Sequence, residues 1–235
     1  MPTPRPTAPV AVVTGASRGL GLALARALAA RGYTLVVDAR GAEALERARA
    51  ELRRKTDITA LVGDVADPRH RRALIGAAGG RIDLVVNNAS ALGPSPQPAL
   101  AAYPLDALER VYAVNVLAPL ALAQLAIPVM ADGAAILNVT SDAAVEPYAG
   151  WGGYGSSKAA LEQLTRILAA EHPALRIHAV DPGDMRTQMQ QDAFPGEDIS
   201  DRPPPEDSVP GLLALIEGDQ PSGRYAAHDL APMTP

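Results

Sequence analysis

The chain has 235 residues, 48% hydrophobic and 20% charged, with a net charge of −5 and no cysteine. That composition is globular and excludes a disordered or fibrous chain, disulfides, thiol nucleophiles and cysteine zinc sites. The acidic balance opposes a nucleic-acid partner, and four histidines leave little from which to build a metal site. With neither a secretory leader nor an apolar run of about 20 residues evident, the expectation is a cytoplasmic protein without a membrane partner.

Residues 1–9, MPTPRPTAP, read as a flexible tail, and residues 10–235 as one domain. Strands are predicted at 10–14, 34–37, 58–62, 82–87, 134–140, 176–180 and 223–227. Helices are predicted at 19–30, 42–53, 68–77, 105–130, 154–171 and 206–216. Short β-branched runs alternating with longer Ala/Leu/Arg segments mark βαβ units. The fold class is therefore α/β, a single-domain Rossmann-type doubly wound parallel sheet of about seven strands with helices on both faces.

The first strand runs through Thr14-Gly15-Ala16-Ser17-Arg18-Gly19-Leu20-Gly21 into the first helix. Glycines at such a turn let backbone approach a pyrophosphate, whose charge is met by amides at the helix N-terminus. The spacing is G-x-x-x-G-x-G, not the general dinucleotide fingerprint. The second strand ends in Asp38-Ala39-Arg40. An acid about 20 residues past the loop commonly bonds the ribose 2′-hydroxyl of NAD, which makes Asp38 one candidate. Arg40 is the residue type that grips a 2′-phosphate. Neighbours on a strand face opposite ways, so Asp38 and Ala39 cannot both face the ribose.

Helix 105–130 carries Asn115, an amide among apolar residues that demands a partner, and a kink is expected at Pro119. Ser141 follows the fifth strand, and 13 residues later Tyr154 opens a helix, with Lys158 four residues on along the same face. An ammonium roughly 5 Å from a phenol, at an effective dielectric near 20, favours the phenolate by about 3 kcal/mol. The Tyr154 pKa is thus expected to fall by about two units, making the phenol a suitable general acid for carbonyl reduction. Ser141 at the strand end can donate to a developing alkoxide. Leu161, Leu164 and Leu168 form one apolar stripe, with Glu162, Arg166 and Glu171 largely elsewhere on the helix.

In order and spacing these motifs resemble the short-chain dehydrogenases/reductases, from residue 10 to about residue 187. Thr14-Gly15-x-x-x-Gly19-x-Gly21 is similar to that family's cofactor loop, with Ser17, Arg18 and Leu20 inside it. The resemblance implies that Asp64 and Val65 lie at the adenine. It also makes Asn87-Asn88-Ala89 the family's NNAG motif, with Ser90 in place of the glycine. It implies a tetrad of Asn115, Ser141, Tyr154 and Lys158, in which Asn115 holds a water in a proton relay to the lysine. Pro182 and Gly183 resemble the PG motif, whose threonine, Thr187 here, contacts the nicotinamide amide. Aligned by motif, the position that decides the cofactor falls on Ala39. Arg40 and Arg18 match basic positions of NADP-preferring members, so NADP(H) is favoured over NAD(H).

The expected substrate is a small uncharged ketone or aldehyde, or the matching alcohol. Its wall is expected from Ser90, Leu92, Ala143, Tyr148, Trp151, Met185 and Met189, with Phe194 at the mouth. Residues 188–205, holding five of the chain's prolines and glycines, read as an irregular loop over the substrate. The resemblance implies a homodimer or homotetramer packed through the helices at 105–130 and 154–171, although the C-terminal sequence departs from the family's VDGG-like end. No metal is expected. The rival readings are an NAD-dependent alcohol dehydrogenase using the same residues, and a catalytically idle NADP(H)-binding sensor or scaffold.

Overall fold

Apolar runs exposed to nothing but other chain segments build the centre of this protein, a computed structural model that describes residues 8–230. Seven strands pair in parallel: β1 (Val10–Val13), β2 (Thr34–Ala39), β3 (Ile58–Val62), β4 (Ile82–Asn87), β5 (Met130–Val139), β6 (Arg176–Asp181) and β7 (Gly223–Ala226). Their order is β3-β2-β1-β4-β5-β6-β7. The helices are α1 (Gly19–Ala30), α2 (Ala42–Leu52), α3 (Pro68–Ala77), α4 (Leu105–Tyr112), α5 (Ala118–Ala126), α6 (Gly152–Glu171), α7 (Gln188–Ala193) and α8 (Val209–Glu217).

Alternation along each strand divides the core in two. Val13, Val37, Val86 and Leu137 pack with Leu24 and Leu28 of α1 and Leu212 and Leu215 of α8. Their neighbours Val12, Val36, Val85 and Ile136 point the other way, onto Leu74 of α3 and Leu122 and Ala126 of α5. Both faces being covered explains why the strands read as unbroken apolar runs. The chain moves outward from β1 to β3 and returns to β4, beside β1. At that reversal the carboxyl ends of the strands splay connections to opposite sides, and a cleft opens.

Five expectations need correction. The single helix at 105–130 is α4, a π turn over Ala113–Leu117, α5 and a 3-10 turn over Ile127–Val129. Its irregularity is the π turn that contains Asn115; Pro119, in the first turn of α5, has no N–H to give the Asn115 carbonyl four residues back. By length and composition this stretch, Leu105–Val129, would also pass for a membrane span, contrary to the expectation of none. Half of its most apolar window is buried in the core, so the sheet accounts for much of that apolar character. Within the expected irregular loop, residues 188–193 form α7, capped by the Thr187 hydroxyl accepting from Gln190 N. The expected tail falls mainly on residues 1–7, outside the described residues, but Pro9 already accepts from Thr34 N beside β2.

Candidate active site

The cleft above β1 and β4 has a volume of about 1500 Å³ and runs from Arg40 to Trp151. Gly15 and Gly19 adopt positive φ of 68° and 56°, which lets the backbone between β1 and α1 turn back on itself. No side chain caps α1 and no acid lies in its first turn, so its amides are left available to an anion. Gly21 lies beneath the loop, not in the cleft, where a Cβ would stand 2.5 Å from Gly15 O and Asn88 Nδ2. Asn88 Nδ2 donates to Thr14 O at 2.8 Å, while Thr14 Oγ1 accepts from Asn88 N and Ala89 N at 3.0 Å. The loop and the NNAS segment are thereby one rigid piece.

Ser17, Arg18, Leu20, Ala39, Arg40, Asp64 and Val65 line the end of the cleft nearest the loop. Asp64 Oδ1 accepts from Ala66 N at 2.8 Å. Among the described residues Arg18 and Arg40 form no ion pair and no side-chain hydrogen bond. Asp38 is different. Its side chain is buried, Oδ1 accepting from Gly15 N and Oδ2 from His70 Nε2, both at 2.8 Å. An uncapped helix start beside two unpaired arginines fits a phosphate-bearing dinucleotide.

At the other end stand Tyr154 and Lys158 on α6, both buried, with Nζ 5.4 Å from the phenol ring centroid. Lys158 Nζ donates to Val139 O at 2.8 Å and has no carboxylate partner among the described residues. Burial drops its pKa to about 8. Burial also pushes the Tyr154 hydroxyl above the ordinary tyrosine value. The nearby Ser90 hydroxyl opposes this, the Asp181 and Asp142 carboxylates add to it, and the Ser141 hydroxyl opposes it more weakly. The expected lowering of Tyr154 by Lys158 is therefore corrected: both groups lose water together, and that loss outweighs their proximity. Near neutral pH Tyr154 is a protonated phenol.

Ser141 Oγ donates to Asp142 Oδ1 at 2.8 Å and accepts from Ala143 N at 3.2 Å. Tyr148 donates to the other Asp142 oxygen at 2.9 Å. Asn115 lies behind the cleft wall, not on it. Its Nδ2 donates to Ala91 O and Ser157 Oγ, each at 2.9 Å, and its Oδ1 accepts from Ala91 N at 2.8 Å and Ser90 Oγ at 3.1 Å. The side chain is fully engaged, so only the Asn115 backbone is left to hold a relay water. Pro182, Gly183 and Thr187 line the cleft, and a Cβ on Gly19 would come within 3.6 Å of Thr187.

All seven expected wall residues, and Phe194, border the cleft. Trp151 meets Tyr154 edge-on at 5.8 Å and Phe194 at 5.9 Å, while Met189 and Ala193 of α7 pack onto Leu92, Ala143 and Tyr154. Sequence reading missed the groups behind them. Glu162, placed off the leucine stripe, is 2% exposed; its Oε1 accepts from Thr140 Oγ1 at 2.8 Å and Arg224 Nε at 2.9 Å. Arg224 also reaches Asp181 Oδ2 at 3.3 Å, at the base of the Pro182-Gly183 turn. A polar residue at a stripe edge gave no sign of a partner 62 positions away.

Known proteins share this arrangement of elements. A short-chain dehydrogenase from Pseudomonas syringae, so assigned, superposes with a TM-score of 0.87 at 30% identity, covering 93% of this chain and 94% of that one. A Shigella flexneri protein of the same assignment, solved in complex with NADP, gives a TM-score of 0.85 at 28% identity, covering 94% and 97%. In sequence, a protein assigned as ketoacyl reductase 2 of the granaticin polyketide synthase of Streptomyces violaceoruber is 33% identical over 97% of this chain and 98% of its own length. The short chain dehydrogenase family matches residues 9–198. With the glycine turn, the parallel sheet and a match over most of its length, the chain belongs to the short-chain dehydrogenase/reductase family of NAD(P)-dependent oxidoreductases.

Proposed function

We propose that this protein is an NADP(H)-dependent carbonyl reductase acting on a small uncharged ketone or aldehyde, with Tyr154 as proton donor. The observation that carries this reading is a single cleft with unpaired Arg18 and Arg40 at one end and Tyr154, Lys158 and Ser141 at the other. The NADP complex of the similar Shigella flexneri protein supports the choice of cofactor. Exposed Leu105, Leu117 and Ile167, on α4, the π turn and α6, support a homodimer or homotetramer built on those helices, in a cytoplasmic protein.

Bound NADPH supplies hydride to the carbonyl carbon. Amides at the start of α1, with Gly15, Ser17, Gly19 and Leu20, hold the pyrophosphate. Arg18 and Arg40 fork onto the 2′-phosphate, for which Ala39 leaves room, and Asp64 and Val65 border the adenine. Asn88, Ala89, Pro182, Gly183 and Thr187 bound the nicotinamide end. Ser141 turns its proton from Asp142 towards the substrate oxygen as charge develops there. Tyr154, protonated at neutral pH, gives its proton to the same oxygen and completes the alcohol. Lys158 faces the resulting phenolate, and Asn115 holds residues 90–91 in place. Trp151, Met185, Met189, Ala143, Ser90 and Tyr148 enclose the apolar part of the substrate.

The first test is titration with NADPH and NADH, followed by quenching of Trp151. NADPH is expected to bind about 10- to 100-fold tighter, and Arg40→Ala to remove most of that difference. Equal weakening of both cofactors by Arg40→Ala overturns the assignment. Ketones and aldehydes that consume NADPH with the wild type should leave it untouched with Tyr154→Phe.

A further inference from the structure

The ends of three neighbouring strands meet at one buried pair. Asp38, on β2, borders the cleft, yet its side chain is 1% exposed. One carboxylate oxygen accepts from Gly15 N, just past β1, and the other from His70 Nε2 on α3. The imidazole is only 9% exposed and lies outside the cleft. Its ring rests on Gly63, just past β3, where any Cβ would collide with it. Gly63 has no positive φ, so the glycine serves the ring and not the backbone. Burial and, more weakly, the Asp64 carboxylate raise the Asp38 pKa, and the Gly15 amide and His70 oppose this, as expected of groups that hold a carboxylate in its charged form.

We propose that His70 is a specificity-determining residue for the cofactor. It keeps the Asp38 carboxylate beneath the glycine loop, away from the adenosine ribose, so that Arg18 and Arg40 alone read that end of the cleft. The proposal rests on the reading that a nicotinamide dinucleotide lies along the cleft with its adenosine beside those arginines. Without the imidazole, one carboxylate oxygen is left buried with no partner, which is costly. The polar space open to it is the cleft that Asp38 already borders. There the carboxylate accepts from a ribose hydroxyl, as in NADH, and repels a 2′-phosphate, as in NADPH. A residue that touches neither cofactor thereby sets the ratio of their affinities.

The test uses the full chain and reads dissociation constants for NADPH and NADH from Trp151 quenching, without turnover. The wild-type ratio judges the parent reading; the change in that ratio judges His70. His70→Leu is expected to move the ratio about tenfold towards NADH, a change of one hydrogen bond to a charged group. His70→Gln, which keeps an amide donor near the Nε2 position, should restore the ratio to within about twofold. His70→Leu combined with Asp38→Asn should show no such shift, because no carboxylate remains to turn outward. Should His70→Leu fail to fold, Gly63→Ala displaces the ring with both partners still present, and the same direction of change is expected. An unchanged ratio in His70→Leu or Gly63→Ala, or a shift that persists without the carboxylate, overturns the proposal. A wild type that prefers NADH overturns the parent preference and leaves the change in ratio to decide this one; a wild type that binds neither overturns both.

Discussion

Two successive turns of α6 bury opposite charges and treat them in opposite ways. Lys158 and Glu162 are each 2% exposed and lie four residues apart. Glu162 is met by the Thr140 hydroxyl, the Arg224 guanidinium and, more distantly, Arg166. Lys158 has one backbone carbonyl and no counter-ion among the described residues, and burial brings its pKa to about 8. A buried charge with a full set of partners holds strands together. A buried charge left short of partners stores unfavourable free energy that a bound ligand or a developing phenolate can relieve.

The largest expected effect lies at the second kind of turn. Tyr154→Phe should lower turnover by roughly 10³-fold, about 4 kcal/mol of barrier, with the melting temperature unchanged. Retained turnover would remove the proton donor from the proposed mechanism. At the first kind of turn, Glu162→Ala should cost about 3 kcal/mol of stability in denaturant unfolding, since it strands Arg224 and Thr140. A loss below about 1 kcal/mol would erase the contrast.

Lys158→Met should do the reverse and stabilise the fold by about 1–3 kcal/mol while abolishing turnover. Its pH dependence has a definite sign. The folded value of about 8 lies below the ordinary 10.5, so between these limits the unfolded chain binds more protons and stability rises with pH. The relief is complete above the unfolded value and is lost as pH falls through about 8. The advantage of Lys158→Met over the wild type should therefore shrink from pH 8 to pH 10. Smallest of all, Arg166→Ala should change stability by less than about 0.5 kcal/mol, because its 3.5 Å contact with Glu162 is largely exposed on the arginine side.

Much of this was legible in the residues themselves. All seven strands could be read because a sheet covered on both faces demands unbroken apolar runs, and the glycine turn because it runs from a strand straight into a helix. Tyr154, Lys158 and Ser141 could be read by spacing, but not their protonation. Pair arithmetic counts the attraction between two neighbours, whereas the water lost by each depends on everything packed around them. Glu162 lies off the leucine stripe, as read, but its burial was not legible, because α6 buries a polar flank as well and the partner comes from β7. His70 was invisible for the same reason, lying 32 residues from Asp38. The six residues of α7, two-thirds of them Gln or Asp, carry no apolar period to mark a helix.

The π turn at Ala113–Leu117 carries one residue more than a regular helical turn needs. Deleting one residue there would leave a regular helix in which α4 and α5 keep their register, because the wide turn is where the surplus residue is absorbed. The repaired helix would swing the Asn115 amide out of register with Ala91 and Ser157, leaving the segment beside Tyr154 untethered. Among descendants of this sequence, such a single-codon loss should survive as folded protein and vanish from the population of working enzymes.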